Sequence, residues 1–206
     1  MRAPDHELVF VFDMAGVLVE WDMEALYRPM CERSGRNLHE IVDRVLGPST
    51  QAEISAGAPV EPLLEGLKER FPEWEEEISA YWARWDEMIV GVISGAVSVA
   101  EELKERGHRL YILGNWGREE YERARPLMPF VGMFDDVLLS GDCGILKPDP
   151  GIFELAEKRF GLMPEKTVFI DDRKDNVLAA ISRNWNGIVF ENPRQLYLVL
   201  MDNGML

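Results

Sequence analysis

The chain has 206 residues, 47% of them hydrophobic and 29% charged, and 22 basic residues against 37 acidic ones leave a net charge of −15. That apolar share excludes global disorder, the length suits one domain or one domain with a sizeable insertion, and the acidic balance argues against binding nucleic acid or an anionic membrane through bulk charge. The longest uncharged run, Met88 to Ala100, is too short to span a bilayer, and Cys31 and Cys143 make no disulfide framework, so a cytoplasmic location is expected.

In chain order, Asp5 and Glu7 precede a very short apolar run and speak against a secretory signal. Leu8 to Phe12 is wholly apolar and rich in β-favouring residues, as a strand buried on both faces should be. From about residue 20 to 93 no buried strand is evident, but helix signals follow in series. Thr50-Gln51-Ala52-Glu53 fits a capping box, and Pro59, Pro62 and Pro72 stand where helices begin. This interval holds Trp21, Trp74, Trp82 and Trp85 and 16 acidic against 7 basic residues, a net −9. Most of these aromatics are expected to pack an all-helical insertion, which starts close to Asp13 at the carboxyl end of the first strand, where an open parallel sheet binds ligands.

Strand and helix then alternate. Residues 96–106 read as a helix ended by Gly107, and Asp149-Pro150 opens another that Gly161 follows. Leu110–Leu113, Val137–Leu139, Thr167–Ile170 and Gly187–Phe190 read as strands. The alternation predicts a parallel α/β sheet of five or more strands with helices on both faces.

Polar groups directly follow three of these strands: Asp13, Asn115, and the pair Asp171-Asp172. In a parallel sheet all three project at one edge. Adjacent aspartates repel unless something cationic neutralises them, and Asp13, Asp171 and Asp172 offer the hard oxygen ligands that suit Mg²⁺. Lys147, in a proline-stiffened loop, is the candidate positive charge for a phosphate dianion, and backbone N–H groups of Gly114-Asn115-Trp116-Gly117 are placed to face an anion.

These residues resemble the motifs of the haloacid dehalogenase superfamily, a large group of mostly Mg²⁺-dependent phosphohydrolases. Phe12-Asp13-Met14-Ala15-Gly16-Val17-Leu18-Val19 is similar to its first motif and Leu113-Gly114-Asn115-Trp116 to its second. Lys147-Pro148-Asp149 is similar to the third and Phe169-Ile170-Asp171-Asp172 to the fourth, which Asn176 and Val177 continue. The resemblance covers nearly the whole chain. It implies a Rossmann-like core of residues 1–19 and 94–206 with a type-one helical cap at 20–93. Asp13 would be the nucleophile that takes the phosphoryl group. Asp13, Asp172 and the Ala15 carbonyl would bind Mg²⁺, with Asp171 completing or supporting the shell. Lys147, Asn115 and the Gly114 segment would bind phosphate. The implied substrate is a small phosphorylated metabolite; monomer and homodimer both stay open.

Two residues depart from the pattern. Ala15 stands where most phosphatases of the superfamily carry an acid/base aspartate, a loss worth on the order of 10²–10⁴-fold in rate. The penalty shrinks for a good leaving group, so activated esters are expected to be favoured, or a substitute acid to come from the mouth of the cap, where Glu20, Asp22 and Trp116 are nearest. Gly114 replaces a phosphate-binding hydroxyl, a loss of roughly 1–3 kcal/mol. A metal-free 2-haloacid dehalogenase, a Schiff-base hydrolase using Lys68, and a non-catalytic protein on a decayed fold are the rival readings.

Overall fold

Val9–Phe12 (β1) lies at the centre of a five-stranded parallel sheet in the computed structural model, which describes residues 8–206. Asp5, His6 and Glu7, and with them the reading of the amino-terminal segment, lie outside the described residues. Val19–Trp21 is β2 and Ile89–Val92 is β3. Arg109–Gly114 is β4, Asp136–Leu139 is β5, Thr167–Asp171 is β6 and Asn186–Val189 is β7. The sheet order is β5-β4-β1-β6-β7.

The period-two geometry of strands divides their side chains between two cores. Phe10, Phe12, Leu110, Ile112, Val168 and Ile170 join one apolar cluster, where Ser94–Glu105 (α5) and Pro193–Asp202 (α9) pack through Ala96, Ala100, Leu196 and Leu200. Val9, Val11, Tyr111, Leu113 and Phe169 join the other, beneath Pro150–Phe160 (α7) and Lys174–Ile181 (α8). Each fully buried large apolar side chain stabilises the fold by about 1.5–3 kcal/mol. Continuous apolar runs, rather than alternating ones, follow from burial on both faces. α7 opens as expected, with the Asp149 side chain accepting from Gly151 N.

Between β2 and β3 the chain is helical: Met23–Ser34 (α1), a π-helical turn at Glu40–Val45, Pro48–Ser55 (α2), Val60–Arg70 (α3) and Glu75–Ala83 (α4). Tyr27, Ile78, Tyr81 and Trp85 are almost wholly buried there, so most of the aromatics do pack. Two details differ from the sequence expectation. The segment is bracketed by a short antiparallel ribbon, β2 on β3, whose half-exposed residues carry no buried-strand signal. Thr50 is not a cap, because α2 already begins at Pro48. Proline presets the first-turn φ, and the Thr50 hydroxyl inside the helix donates to the Val45 carbonyl.

Arg118–Ala124 (α6) follows β4. The helical segment rests on this part of the sheet domain: the Ser140 hydroxyl donates to the Ser55 carbonyl, and Arg123 pairs with Asp86 at 2.8 Å. Among the described residues no helix is long and apolar enough to cross a membrane.

Candidate active site

Strand register gathers residues that the sequence holds far apart. Phe12 is opposite Ile112 on one side and Ile170 on the other. The next position along the edge therefore brings together Asp13, Leu113 and Asp171, and the Asp13 N–H still donates to the Ile170 carbonyl at 2.8 Å.

Lys147 reaches this edge from the loop before α7. Its buried ammonium lies 2.7 Å from Asp13 Oδ1 and 2.7 Å from Asp171 Oδ2, and donates to the Leu113 carbonyl at 2.7 Å. Burial works against that ammonium, but Asp13 and Asp171 outweigh it and raise its pKa. The loop is held by Asn115, whose side-chain amide donates to the Lys147 carbonyl at 2.9 Å and accepts from the Lys147 N–H at 2.8 Å. Both ends of the Asn115 amide thus fix the lysine backbone, while its second N–H is not used in these two bonds and Asn115 lines the cavity.

Asp13 is 7% exposed, and its Oδ1 accepts from the Met14 N–H at 2.7 Å. Burial pushes its carboxyl up to about 7, against the pull of Lys147 and with a further rise from Asp171. Asp171 is fully enclosed. It accepts from Arg173 N–H at 2.8 Å and, on both oxygens, from the Asn176 amide at 3.0 Å, besides its contact with Lys147. Asp172 stays exposed at the edge, its carboxyl raised by burial and by Asp171.

Ligand oxygens of Asp13, Asp171 and Asp172 all lie within 4.8 Å of one another. One ammonium cannot neutralise three carboxylates, so the cluster suits a divalent cation with a preference for hard oxygen donors. Two further features fit. Asn176 Oδ1 is buried without a donor among the described residues, an acceptor fit for a hydrated ion. Gly16, at φ +85°, lets Asp172 approach so closely that a Cβ there would lie 2.6 Å from Asp172 Oδ2. Asp171 spends both oxygens within the protein, whereas Asp172 stays exposed at the edge.

A cavity of about 520 Å³ opens above this edge and extends under the helical segment. Asp13, Ala15, Asn115, Trp116, Lys147 and Asp172 all line it. Glu20 and Asp22 do not. Along β2 the side chains alternate, so Trp21 lines the cavity while its two neighbours are exposed, and Asp22 is spent as the amino-terminal cap of α1, accepting from Glu24 N at 2.8 Å. Besides Asp13 and Asp172, the carboxylate that lines the cavity is Glu120, which sequence reading missed. In Arg118-Glu119-Glu120 it looks like the solvated first turn of a helix. Only a partner far away in sequence distinguishes it: Tyr81 OH at 3.0 Å and Trp85 Nε1 at 3.2 Å, both from the helical segment, together with its own Gly117 N–H at 3.1 Å.

At Gly114 a Cβ would meet only ordinary contacts, Met14 at 3.7 Å, Leu139 at 3.8 Å and Asp13 Oδ1 at 4.0 Å. A Cβ therefore fits there without rearrangement. Gly114→Ser is expected to raise kcat/KM for a phosphomonoester by about 5- to 160-fold, since a contact to a charged oxygen is worth about 1–3 kcal/mol. Steady-state kinetics on both proteins checks this; unchanged kcat/KM would mean that backbone N–H groups already saturate the anion.

Comparisons with known proteins agree with this layout. A family model described as haloacid dehalogenase-like hydrolase matches residues 8–182. A phosphorylated carbohydrates phosphatase of Thermotoga maritima is 30% identical over 180 residues, 84% of this chain and 79% of its own length. An (S)-2-haloacid dehalogenase of Burkholderia cepacia is 30% identical over 106 residues, but the match spans only 52% of this chain and 41% of the dehalogenase. Among solved structures, a haloacid dehalogenase-family enzyme from Bacteroides thetaiotaomicron in complex with magnesium and inorganic phosphate superimposes with a TM-score of 0.74. It is 19% identical, and the match covers 90% of this chain and 94% of that one, a likeness of fold. The family match extends over most of the sequence and includes every strand-end residue described above, so this chain belongs to the haloacid dehalogenase-like hydrolases.

Proposed function

We propose that the chain is a Mg²⁺-dependent phosphohydrolase that acts on a small phosphomonoester through a covalent phospho-aspartate at Asp13. The observation that carries this reading is the buried ammonium of Lys147 held 2.7 Å from both Asp13 and Asp171 while a third carboxylate completes an oxygen-rich cluster. Carboxylate attack on the carbon of a haloacid requires no divalent charge, so a maintained cluster of acids favours phosphoryl over carbon chemistry. Phosphatases and dehalogenases both occur among the relatives, which leaves the distinction to the site itself.

In this reading the Asp13 carboxylate, fixed by the Met14 N–H and Lys147, attacks phosphorus in line with the leaving alcohol. The P–O ester bond breaks, the leaving group departs as an alkoxide or aryloxide that takes its proton from water, and a second water then hydrolyses the acyl phosphate to return Asp13 and release inorganic phosphate. Lys147 places positive charge where the transferring oxygens gather negative charge, the main form of catalysis such a transfer needs. Mg²⁺, held by Asp13, Asp172 and the Ala15 carbonyl, supplies further charge neutralisation when bound. Asn115 and Asp171 keep the lysine in place. We place the helical cap at residues 20–93 and the core at 1–19 and 94–206; the cap closes the cavity and excludes water. The free thiols Cys31 and Cys143 fit a reducing cytoplasm.

Metal-dependent phosphate release from p-nitrophenyl phosphate, abolished by EDTA, tests the assignment. Chloride release from 2-chloropropionate in EDTA would establish the dehalogenase instead. Because Ala15 offers no proton, rates should depend steeply on the leaving group. Aryl phosphates are expected to turn over about 10²-fold faster than simple alkyl phosphates. Equal rates across such a series would show that another acid replaces the missing one.

A further inference from the structure

Glu120 is a buried carboxylate, 4% exposed, for which no lysine or arginine forms an ion pair among the described residues. Buried charges are ordinarily paired. Its neighbours supply only neutral donors: Tyr81 OH, Trp85 Nε1 and its own Gly117 N–H. The Tyr81 hydroxyl also lies 3.1 Å from Gln51 Oε1, so its single proton is shared between two acceptors. Burial accordingly raises the Glu120 pKa. This anion lines the same cavity as Asp13 and Lys147, and the cavity carries three indoles beside it, Trp21, Trp85 and Trp116. Trp85 and Trp116, both buried, pack edge to face at 86° with centroids 5.7 Å apart. Both cations that line the cavity belong to its phosphate end: Lys147 sits between carboxylates, and Arg173 directly follows Asp172.

A wall of indole rings together with a desolvated carboxylate is complementary to a weakly hydrated cation, above all a quaternary or alkylated ammonium. The net −9 of residues 20–93 favours a cation over a further anion on the approach. We infer that the alcohol half of the substrate carries an ammonium group, seated among Trp21, Trp85 and Trp116 and countered by Glu120, so that the substrate class is an ammonium-bearing phosphomonoester. This rests on the phosphohydrolase reading for its phosphate end only. It also bears on Ala15, because a positive charge near the ester oxygen stabilises the departing alkoxide and lessens the need for a general acid.

The test separates binding from turnover. Choline and its uncharged isostere 3,3-dimethylbutanol are titrated against tryptophan fluorescence. Their phosphate monoesters and p-nitrophenyl phosphate are assayed with Mg²⁺. Choline is expected to bind at least about tenfold more tightly than the neutral alcohol. Glu120→Gln and, independently, Trp21→Leu are each expected to reduce that preference to less than about threefold and to lower the charged-to-neutral kcat/KM ratio by a similar factor. Comparing the ratio between proteins cancels the intrinsic difference in leaving groups. Trp21 is partly exposed, so its variant serves if Glu120→Gln fails to fold, as judged by thermal melting. Equal binding of the two alcohols, binding of neither, or a preference unchanged in both variants overturns the inference. Continued Asp13-dependent hydrolysis of p-nitrophenyl phosphate in that event leaves the phosphohydrolase standing. Conversely, choline preference without any phosphate release keeps the ammonium site and defeats the phosphohydrolase.

Discussion

Asp13→Asn is expected to lower phosphate release by on the order of 10⁴-fold or more, because it removes the attacking oxygen while leaving the shape of the site intact. The same change should stabilise the metal-free fold. Three carboxylates share one ammonium in this cluster, and burial holds the Asp13 carboxyl at about 7 against about 3.9 in an unfolded chain. A raised folded-state pKa means that ionising the group costs the folded protein. Below pH about 4 both states are protonated and wild type and variant differ little through this group. Between pH about 4 and 7 the wild type loses stability relative to the variant, and above pH 7 the gap is constant. In a chain of this size each kcal/mol so relieved is worth about 2–4 °C in Tm. Melting curves in EDTA at pH 4, 6 and 8 would show the gap opening. A variant that melts at or below the wild-type temperature at pH 8 would mean that the site tolerates the Asp13 charge without a cation.

Lys147→Met works in the opposite direction. It fills a similar volume but leaves Asp13 and Asp171 facing each other without the ammonium that lies 2.7 Å from each, and it frees the Leu113 carbonyl. Removal of one partner from a buried ion pair typically costs about 3–5 kcal/mol, so the urea midpoint should fall and phosphate release should disappear. The combination with Asp13→Asn is expected to recover part of that loss, since one of the two stranded charges is gone. Equilibrium unfolding of the single and double variants measures this coupling. Strict additivity would show that Lys147 and Asp13 do not interact in the folded protein.

Much of this arrangement is legible in the sequence because parallel sheets write themselves simply. Continuous apolar runs mark strands covered on both faces, and the residue after each run lies on the ligand-binding edge; that is how Asp13, Asn115 and Asp171-Asp172 stand out. Lys147 stands out by its proline-stiffened loop and by the need for a cation beside adjacent aspartates, and the family motifs agree with it. Contacts that depend on three-dimensional pairing are less visible. That the Asn115 amide also clasps the Lys147 backbone has no signature in the sequence. Glu120 reads as a solvated charge until Tyr81 and Trp85, more than thirty residues away, are seen to enclose it. Glu20 and Asp22 are near Asp13 in sequence, but strand alternation turns them from the cavity and selects Trp21 in their place. β2 and β3 are too short and too exposed to carry a recognisable pattern of their own.

The alternation of β1 stops where its reacting carboxylate begins: Phe10 and Phe12 serve one core, Val9 and Val11 the other, and Asp13 belongs to neither. Slipping this strand by one residue would invert both hydrophobic layers at once and withdraw Asp13 from the rim. Ala15, by contrast, is only part-buried against the first layer and lines the cavity, although Met14, Val17 and Leu18 around it belong to the core. Chemistry can therefore be altered at that one position while the strand register that orders both layers stays as it is.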